Sequence, residues 1–362
     1  MNPPPLRFSR ENLQFHRELT RATQAWLDQH GDHRFANGAM IAKAVLLALL
    51  AAGCCWLGLQ QTHWFGWAVC QAGVSFFAML LTINVVHDAS HQAFFRSKSA
   101  NRWLNVLATI PLGLDPECWR VRHVLMHHTG NNVIGYDPDM EENGILRQSR
   151  FQRLRPLMRY QRYYWPLVAA FTFPYYIWLF DWLDRAGQTR VGAKMRLQGI
   201  KGWAAFLLVK VGHFLLVLAL PLWLLPPSIG LGTIVLVYLS CQMLASLIFV
   251  MLIIGTHWAK GNSYQPTEQG KLPHSRYSHL FATTCDWSTR PHWLGYWLGG
   301  MNLHLTHHLF PHWNHRHYPM LAGIIAQVAA RYDYDYQCLT LTQLMRSQQR
   351  FLQELGDDKA ET

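Results

Sequence analysis

Residues 302–319 read NLHLTHHLFPHWNHRHYP, and six of these eighteen residues are histidine. His304, His307 and His308 fall at i, i+3 and i+4, so on a helix their imidazoles project from one face. Neutral imidazole suits iron, copper, zinc and nickel, whereas magnesium and calcium prefer oxygen ligands. The stretch therefore predicts either a transition-metal site or a polar helix surface, and the rest of the chain must decide between them.

The composition indicates a membrane protein. Charged residues make up 15% of the chain, against a usual value of about 25%, and aromatic residues make up 13%. The formal net charge is +11, but the basic residues lie beside apolar runs, where they favour anionic lipid over nucleic acid. The seven cysteines contain no CxxC pair, so no disulfide framework is expected.

Four apolar runs are long enough to cross about 30 Å of hydrocarbon at about 1.5 Å per residue. The links inside each successive pair of runs are short and uncharged, which favours two helical hairpins. We predict an all-α integral membrane protein with four transmembrane helices in two hairpins and a cytoplasmic helical cap that carries the histidines. The expected spans are residues 39–60, 64–86, 203–225 and 231–254.

The predicted domains are a cytoplasmic N-terminal arm (residues 1–38), a central domain (39–319) and a cytoplasmic helical tail (320–362). The pattern of residues 11–26 allows an amphipathic helix that lies along the bilayer. Lys and Arg outside the spans fall in the arm, the long middle region and the tail, so the positive-inside rule places all three in the cytoplasm. This topology predicts a multi-pass protein, in the plasma membrane if the source is bacterial.

Two intramembrane features leave alternatives open. A fifth apolar run, residues 163–183, contains Pro166, Pro174 and Asp181, and is predicted to be interfacial rather than spanning. Lys210 and His213 lie one turn apart within the third span. They form either a functional ionisable pair or a lysine that snorkels to the interface beside a histidine.

The predicted topology brings further histidines to the same membrane face as the first stretch. Nine imidazoles exceed the four to six donors of one transition ion, so two metal ions with open positions are expected. A dinuclear iron centre that activates oxygen fits this number, whereas a zinc hydrolase needs only about three histidines. The nine candidate ligands are His87 and His91, His123, His127 and His128, His257, and His304, His307 and His308.

The motifs HDASH, HVLMHH and HLTHH, placed around two predicted hairpins, resemble the three histidine boxes of the membrane-bound fatty acid desaturase family. The segments TGNNVIGYDPDME, HLFATTCDWS and HHLFP are similar to the family's sequences next to the second and third boxes. The likeness covers residues 85–319 and is closest to acyl-CoA and acyl-lipid desaturases of the front-end type. His257 matches an additional family ligand with less sequence context.

The resemblance implies a di-iron oxidoreductase of lipid metabolism that uses O2 to place a double bond in a fatty acyl chain linked to lipid, CoA or a carrier protein. It implies no catalytic residue beyond the ligands. The sequence has no His-Pro-Gly-Gly haem motif, so the electrons are expected from a separate ferredoxin or cytochrome b5 type of donor with its reductase. Residues that could orient the ligands are Asp88, Asp137, Asp139, His279 and Asp286. Asp137, Asp139 and Asp286 could instead receive the donor, or serve only as helix caps and in loop turns.

Several readings remain open at this stage. The same chemistry could yield an acyl-chain hydroxylase or acetylenase, and a membrane metal carrier is a remote alternative. His304 stands where front-end desaturases commonly have Gln, and His279 stands where many relatives have Gln. These differences leave the double-bond position open, and His279 is a ligand, a residue that orients a ligand, or neither. Beyond the third box, Arg316 and the histidines around it either receive the electron donor, orient metal ligands or form solvated surface.

Overall fold

A computed structural model describes residues 3–357, without the side chain of Ile254. The ends of the predicted arm and tail, residues 1–2 and 358–362, lie outside the described residues. The chain divides into two compact units. Unit 1 contains the described parts of residues 1–35, 122–166 and 251–362, and unit 2 contains residues 36–121 and 167–250.

The described chain is mostly helical. Up to residue 130 its α-helices are α1 (Leu13–His30), α2 (Gly38–Leu59), α3 (Trp64–Leu81), α4 (His87–Ser90), α5 (Lys98–Thr109), α6 (Pro116–Arg120) and α7 (His128–Gly130). Two π-helical segments interrupt this series, Thr82–Val86 between α3 and α4 and Val121–His127 between α6 and α7. Such wide turns often occur at functional sites, and here each one leads into predicted ligands.

The middle of the chain continues with α8 (Gln161–Ala170), α9 (Thr172–Tyr175), α10 (Asp181–Arg185), α11 (Gly199–Phe214), α12 (Leu220–Leu224) and α13 (Leu231–Lys260). The last part has α14 (Arg276–Thr283), β1 (Asp286–Ser288), α15 (Leu294–Trp297), α16 (His304–Leu309), α17 (Tyr318–Ala329), β2 (Cys338–Thr340) and α18 (Leu341–Gly356). Strands β1 and β2 form a parallel pair with Trp287 opposite Leu339. Further π turns are Tyr176–Phe180 and Leu215–Ala219, and the 3-10 turns are Pro138–Met140, Pro156–Tyr160, Gly192–Lys194 and His315–His317.

The four predicted spans are confirmed as helices of membrane-crossing length and composition among the described residues. They are Gly38–Leu59, Trp64–Ser90, Gly199–Leu224 and Leu231–Lys260. The second and fourth helices are longer than expected, since they continue through His87 and His257 instead of ending before them. Large apolar side chains remain exposed on α2, such as Trp56 at 65%, as a lipid-facing helix requires.

The fifth apolar run does not form a spanning helix in the described structure. Residues 163–183 are divided among α8, α9 and α10 with a π turn between the last two. Pro174 lies in α9 and Pro166 inside α8, and a proline removes one backbone donor from the helical hydrogen-bond ladder. Its predicted interfacial position stays a prediction.

Lys210 is an internal ion-pair partner in unit 2, so the snorkelling alternative is wrong. Its ammonium donates to the carbonyl oxygens of Gly113 at 2.7 Å and Ile177 at 2.8 Å, and to Asp181 Oδ2 at 2.7 Å. Asp181 Oδ2 also accepts the backbone N–H of Asp115. Three acceptors therefore meet the three protons of a buried ammonium.

His213 is equally occupied by protein atoms. Its Nδ1 contacts the Ile110 carbonyl at 3.1 Å and its Nε2 contacts the Tyr238 hydroxyl at 2.8 Å. Gly113 has a φ of +91°, and a Cβ there would stand 2.6 Å from the imidazole. Glycine at this position thus permits both the turn and the close approach of the ring. Lys210 and His213, whose role the sequence leaves open, thus belong to a structural network of unit 2.

The N-terminal helix α1 uses its apolar face inside unit 1. Buried Phe15 and Leu19 pack with residues of α17 such as Leu321 and Ile325. Protein therefore covers this apolar face, and the predicted position of the helix along the bilayer stays a prediction. The predicted helices of the tail are confirmed as α17 and α18.

Candidate metal centre

The second histidine box lies on the π segment Val121–His127 and the start of α7. A π turn repeats its hydrogen bonds from i to i+5 instead of i to i+4, so residues four and five apart approach the same face. This geometry brings His127 and His128 to the face of His123, and all three rings are buried in unit 1. The π-helical backbone thus explains how two adjacent histidines, His127 and His128, can both lie on the same face as His123.

The third box lies on the short helix α16, whose beginning is fixed by Asp286. The carboxylate accepts the backbone N–H of Thr306 at 3.1 Å and its hydroxyl at 2.6 Å. The Tyr336 hydroxyl donates to the same carboxylate at 3.0 Å. A helix N-terminus has unpaired N–H groups and attracts a negative charge, so Asp286 serves as a cap supplied from a distant segment.

Four buried imidazoles of unit 1 form one group, the tetrad. His127, His257, His304 and His308 each offer a ring nitrogen, and these atoms lie within 4.8 Å of one another. The Nε2 atoms of His257 and His304 are 3.1 Å apart. Neighbouring imidazole ligands on one ion with bonds of about 2.1 Å are roughly 3 Å apart, so this spacing matches a metal-ligand set.

Three more imidazoles of unit 1 converge as a second group. His128 Nε2 is 3.3 Å from His123 Nε2 and 2.8 Å from His307 Nε2. Unit 1 therefore gathers seven of the nine predicted ligands from the second box, the third box and the end of α13.

The orientation of His127 is set by carboxylates. Its Nδ1 donates to Asp137 at 3.1 Å, while Asp139, which is 38% exposed at its side chain, lies 3.4 Å away. Burial alone would lower the pKa of His127, but the adjacent Asp137 carboxylate raises it to about 9. A carboxylate that stabilises a proton on the imidazole also stabilises a cation bound at Nε2.

Two further contacts orient ligands and were missed by sequence reasoning. His257 Nδ1 donates to the Thr283 carbonyl at 3.2 Å, which leaves Nε2 for the tetrad. His307 Nδ1 is 2.8 Å from the Tyr318 hydroxyl. The Thr-Thr segment resembles a family motif, but a backbone carbonyl has no sequence signature, and Tyr318 is reached only across the 3-10 turn His315–His317.

His308 provides a direct test of whether a metal ion fits. Its ring is buried, yet neither nitrogen has a hydrogen-bond partner among the described residues. Burial, followed by His304, lowers the pKa of His308 well below its usual range, so the imidazole is neutral and able to donate a lone pair. A buried polar atom without a partner is costly, and a transition-metal ion bonded to the tetrad removes that cost.

The first box lies in unit 2 at the end of the Trp64–Ser90 helix. His87 and His91 are buried, with ring centroids 5.0 Å apart. Asp88 Oδ1 is 3.6 Å from His87 Nδ1. The adjacent π turn Thr82–Val86 changes the helical phase just before these residues.

The remaining candidates contact other groups than the tetrad. His279 Nε2 donates to the Asn131 carbonyl at 2.7 Å and its Nδ1 is 2.9 Å from His274, and burial lowers the pKa of His279 to about 4. Arg316 forms a bidentate ion pair with Asp32 at 2.7 and 2.6 Å. This guanidinium joins the loop after the third box to the N-terminal arm, so the solvated-surface alternative is wrong for Arg316. Its predicted role in receiving the donor stays a prediction.

Unit 2 also contains an apolar cavity of about 390 Å³. Ala48 and Ala52 on α2 form one side, and Leu81 and Val85 form another. Every residue that lines it is apolar or a cysteine. Val85 precedes His87 by two residues along the chain.

A sequence profile described as fatty acid desaturase matches residues 62–340. The match covers more than three-quarters of the chain and includes all three histidine clusters. The chain belongs to the fatty acid desaturase family. Together with the four apolar helices, membership makes this desaturase a membrane-bound oxidoreductase that acts on fatty acyl lipid. Its histidine clusters fit a metal centre.

Curated relatives support the same assignment. The desaturase is similar to the sn-1 linoleoyl-lipid 6-desaturase of Synechocystis sp., with 28% identity over 94% of this chain and 95% of the relative. It is 24% identical to the protein of the same name from Arthrospira platensis over 90% of this chain and 88% of the relative. The acyl-lipid (8-3)-desaturase of Physcomitrium patens is 25% identical over 73% of this chain and 55% of the relative.

Proposed function

We propose that this desaturase places a carbon–carbon double bond in a lipid-linked acyl chain, with O2 as co-substrate, at a centre of two iron ions. The observation that carries the proposal is the buried tetrad of His127, His257, His304 and His308. All three relatives described above are named for acyl-lipid substrates. Their names differ in bond position, so the position is left to the experiment.

The first ion is assigned to the tetrad, and the second to His123, His128 and His307 of unit 1. The family resemblance implies that His87 and His91 of unit 2 are also metal ligands. Asp137, the Thr283 carbonyl and the Tyr318 hydroxyl each hold one imidazole by its Nδ1, so that Nε2 remains for the metal. Asp88 and Asp139 are proposed to adjust ligand orientation, Asp286 to position α16, and His279 to stabilise the Thr-Thr segment.

When bound, iron supplies the means to activate O2 for abstraction of hydrogen from an unactivated methylene. The overall reaction converts –CH2–CH2– and O2, with two electrons and two protons, into –CH=CH– and two water molecules. The protein residues bind and orient: neutral imidazoles hold the ions, and burial of the histidine cluster excludes bulk water. The two electrons come from a separate ferredoxin or cytochrome b5 type of donor with its reductase.

The cavity of unit 2 is proposed to hold part of the acyl chain. About 390 Å³ accommodates roughly a dozen methylene groups if each occupies about the 30 Å³ of a liquid water molecule. Its apolar lining matches a hydrocarbon chain, and its position in the chain next to the first box is in keeping with that role.

The proposed arrangement in the membrane follows the charge pattern of the sequence. We propose that the four helices form two hairpins, and that both termini and the histidine boxes lie on the cytoplasmic side. The proposed domain boundaries are residues 38 and 319. In a bacterial source the membrane is the plasma membrane.

The function is tested by expressing the chain aerobically and locating double bonds in total lipids by mass spectrometry. We expect a new alkene with the unaltered chain and none with His307→Ala, while His292→Ala, which changes an exposed histidine, retains the product. A hydroxylated or acetylenic product would transfer the function to those activities. Purified protein without bound iron would contradict the di-iron proposal.

The acyl cavity is tested separately with two substitutions on α2. Ala48→Phe places a ring in the cavity, whereas Leu49→Phe changes a neighbouring side chain that does not line it. We expect the first variant to shift the product profile towards shorter chains and the second to leave it unchanged. Identical profiles would contradict the proposed role of the cavity in holding the acyl chain.

A further inference from the structure

Two imidazoles of unit 1 outside the groups of candidate ligands lie in contact with each other. Partly exposed His274 and buried His279 are stacked, with ring centroids 5.1 Å apart and planes inclined by 6°. His279 Nε2 donates to the Asn131 carbonyl at 2.7 Å, so its Nδ1 accepts from His274 Nε2 at 2.9 Å. Phe8 of the N-terminal arm lies edge-on to His279 at 5.3 Å between centroids. The pair therefore forms a fixed connection from the surface to the interior.

The connection continues through hydrogen bonds to a ligand of the tetrad. The side-chain amide of Asn131 donates to Thr283 Oγ1 at 2.7 Å, and this hydroxyl donates to the His279 carbonyl at 2.7 Å. The Thr283 carbonyl accepts from His257 Nδ1 at 3.2 Å. Every step from His274 to His257 is thus a covalent bond or a hydrogen bond. Because electron transfer decays less along bonded atoms than across empty space, this path favours the passage of electrons.

Another outward contact of the tetrad leads to negative charge. His127 Nδ1 donates to Asp137, and the Asp139 carboxylate beside it is partly exposed. Glu141 and Glu142 follow directly along the chain and are exposed. A donor protein with an acidic surface is repelled by such a group of carboxylates.

The surface beside His274 is basic instead. The N-terminal arm pairs with the segment that leads to His274, since Arg7 forms a bridge with Lys271 and the Ser9 N–H donates to the His274 carbonyl at 3.0 Å. Arg7, Arg10 and Lys271 are exposed, and we call these three residues the basic patch. Their positive charges complement an acidic surface on a partner.

The acidic residues of the same segments do not cancel this charge. Glu11 accepts the backbone N–H of Arg276 at 2.8 Å and that of Tyr277 at 3.4 Å, so its carboxylate serves the N-terminus of α14. Glu268 is exposed in the turn before Lys271. Three exposed cations are thus accompanied by one exposed carboxylate, and the surface remains positive.

We propose that the basic patch binds a one-electron donor protein whose surface is acidic. Its electrons enter through His274 and His279 and reach the tetrad at His257. This inference rests on the proposed function, for which it names the place of electron entry. Two reduced donors, each oxidised by one electron, add two electrons to the two taken from the acyl chain, which completes the reduction of one O2 to water. The two accompanying protons come from solvent, and the imidazoles undergo no net oxidation.

The first measurement is donor binding to the purified full chain in detergent, without turnover. An acidic 2Fe–2S ferredoxin and an acidic cytochrome b5 are each titrated in the oxidised state at low and high salt. We expect at least one to bind, with an affinity that falls as salt rises. Arg7→Glu/Lys271→Glu should weaken this binding about tenfold or more, because like charges then oppose each other.

The matched control for charge is Arg346→Glu/Arg350→Glu, which reverses two exposed arginines on α18. It makes the same change in net charge away from the basic patch and should bind the donor like the unaltered chain. The unfolding temperature and iron content are measured for every variant, so that loss of folding is distinguished from loss of the donor surface.

The second measurement follows oxidation of the reduced donor by the iron-loaded chain in stopped flow, without acyl substrate or O2. We expect His274→Phe to slow the first-order transfer severalfold at saturating donor and to leave the donor affinity unchanged. Its iron content and its reduction by dithionite, a small reductant that needs no docking surface, should match those of the unaltered chain. His16→Phe, which changes an exposed imidazole of α1 outside the path, should have no effect.

The proposal is overturned if neither donor binds the unaltered chain, or if the two charge reversals weaken binding equally. It is also overturned if His274→Phe transfers electrons at the unaltered rate, or if this variant loses iron, which would make the imidazole a structural support. Binding of phosphatidylglycerol to the basic patch in place of a donor would make it a lipid site. A purified chain without iron contradicts the proposed function instead, and the binding measurement still decides whether the patch receives a donor.

Discussion

His308 in unit 1 and His213 in unit 2 are both buried histidines, but their ring nitrogens meet different surroundings. His213 uses both nitrogens on protein oxygens, whereas His308 has no hydrogen-bond partner at either nitrogen among the described residues. Around His213, Lys210 and Asp181 form a paired network. Around His308 are other imidazoles. The difference teaches that burial alone does not make a histidine a candidate metal ligand, whereas a buried ring without protein partners among the described residues does.

His308→Ala should have the largest effect of the substitutions that test this comparison. Removal of a ligand is expected to reduce alkene formation more than about 100-fold, because groups that only orient ligands already account for about 10- to 100-fold. Lipid analysis and metal content per purified chain measure the effect. His213→Phe is the counterpart, and we expect it to lower the unfolding temperature but to retain metal in the folded fraction. Equal metal loss in both variants would invalidate the distinction.

Lys210→Met tests the paired network. It leaves the Asp181 carboxylate buried without its cation, which typically costs about 3–5 kcal/mol. We expect a strongly lowered unfolding temperature, measured by tryptophan fluorescence in detergent, with unchanged metal per folded chain. Lys210→Met/Asp181→Asn should recover part of the stability, since the neutral amide can still accept the Asp115 N–H. If the single variant is as stable as the unaltered chain, the network has no structural role.

Asp137→Asn sharpens the comparison inside unit 1. The amide oxygen can still accept the proton of His127 Nδ1, but the negative charge that supports a bound cation is lost. We expect metal affinity to fall about 10- to 100-fold, as measured by competition with a chelator. Asp139→Asn is the matched control, because its more exposed carboxylate should contribute less. The reverse order of the two effects would assign the supporting role to Asp139.

Asp32→Asn should have the smallest effect, and it depends on pH. Its hydrogen bonds from Arg316 hold the pKa of Asp32 well below its usual range. The ion pair therefore stabilises the fold above the unfolded pKa of about 4, and this contribution is lost as the pH falls below that value. We expect a loss of about 1 kcal/mol at pH 7 that shrinks towards pH 3, measured from unfolding curves. A variant that loses the same stability at every pH would indicate packing rather than charge.

Much of the fold class was accessible from local pattern. Runs of about twenty apolar residues predict helices of spanning length without knowledge of their neighbours, because a bilayer requires length and hydrophobicity alone. The residues at which these helices end were harder to predict from the sequence. The helix of residues 64–90 continues through His87 by way of a π turn, and the hydropathy of the sequence does not reveal such a turn.

The sequence predicted which residues belong to the candidate site, but it predicted less about the contacts that orient them. The three boxes named the imidazoles, and Asp137 was found because it belongs to a recognisable motif. The role of Asp286 as a cap on α16, and of Tyr318 on His307, depends on contacts between segments far apart or separated by a turn. The sequence leaves the role of Arg316 open because its ion-pair partner, Asp32, is 284 residues away.

The sequence by itself therefore determined that this chain has four apolar helices and three histidine boxes of the desaturase family. These properties follow from hydrophobicity and motif spacing, which are local. Only the tertiary structure decided which buried polar groups satisfy one another and which do not. From the sequence, Lys210, His213 and His308 are all functional candidates. In the structure, Lys210 and His213 are paired with protein groups that include backbone carbonyls and Asp181, whereas His308 is not and remains a candidate ligand. The physical reason is that hydrogen-bond satisfaction in a low-dielectric interior depends on partners that the chain brings together only on folding.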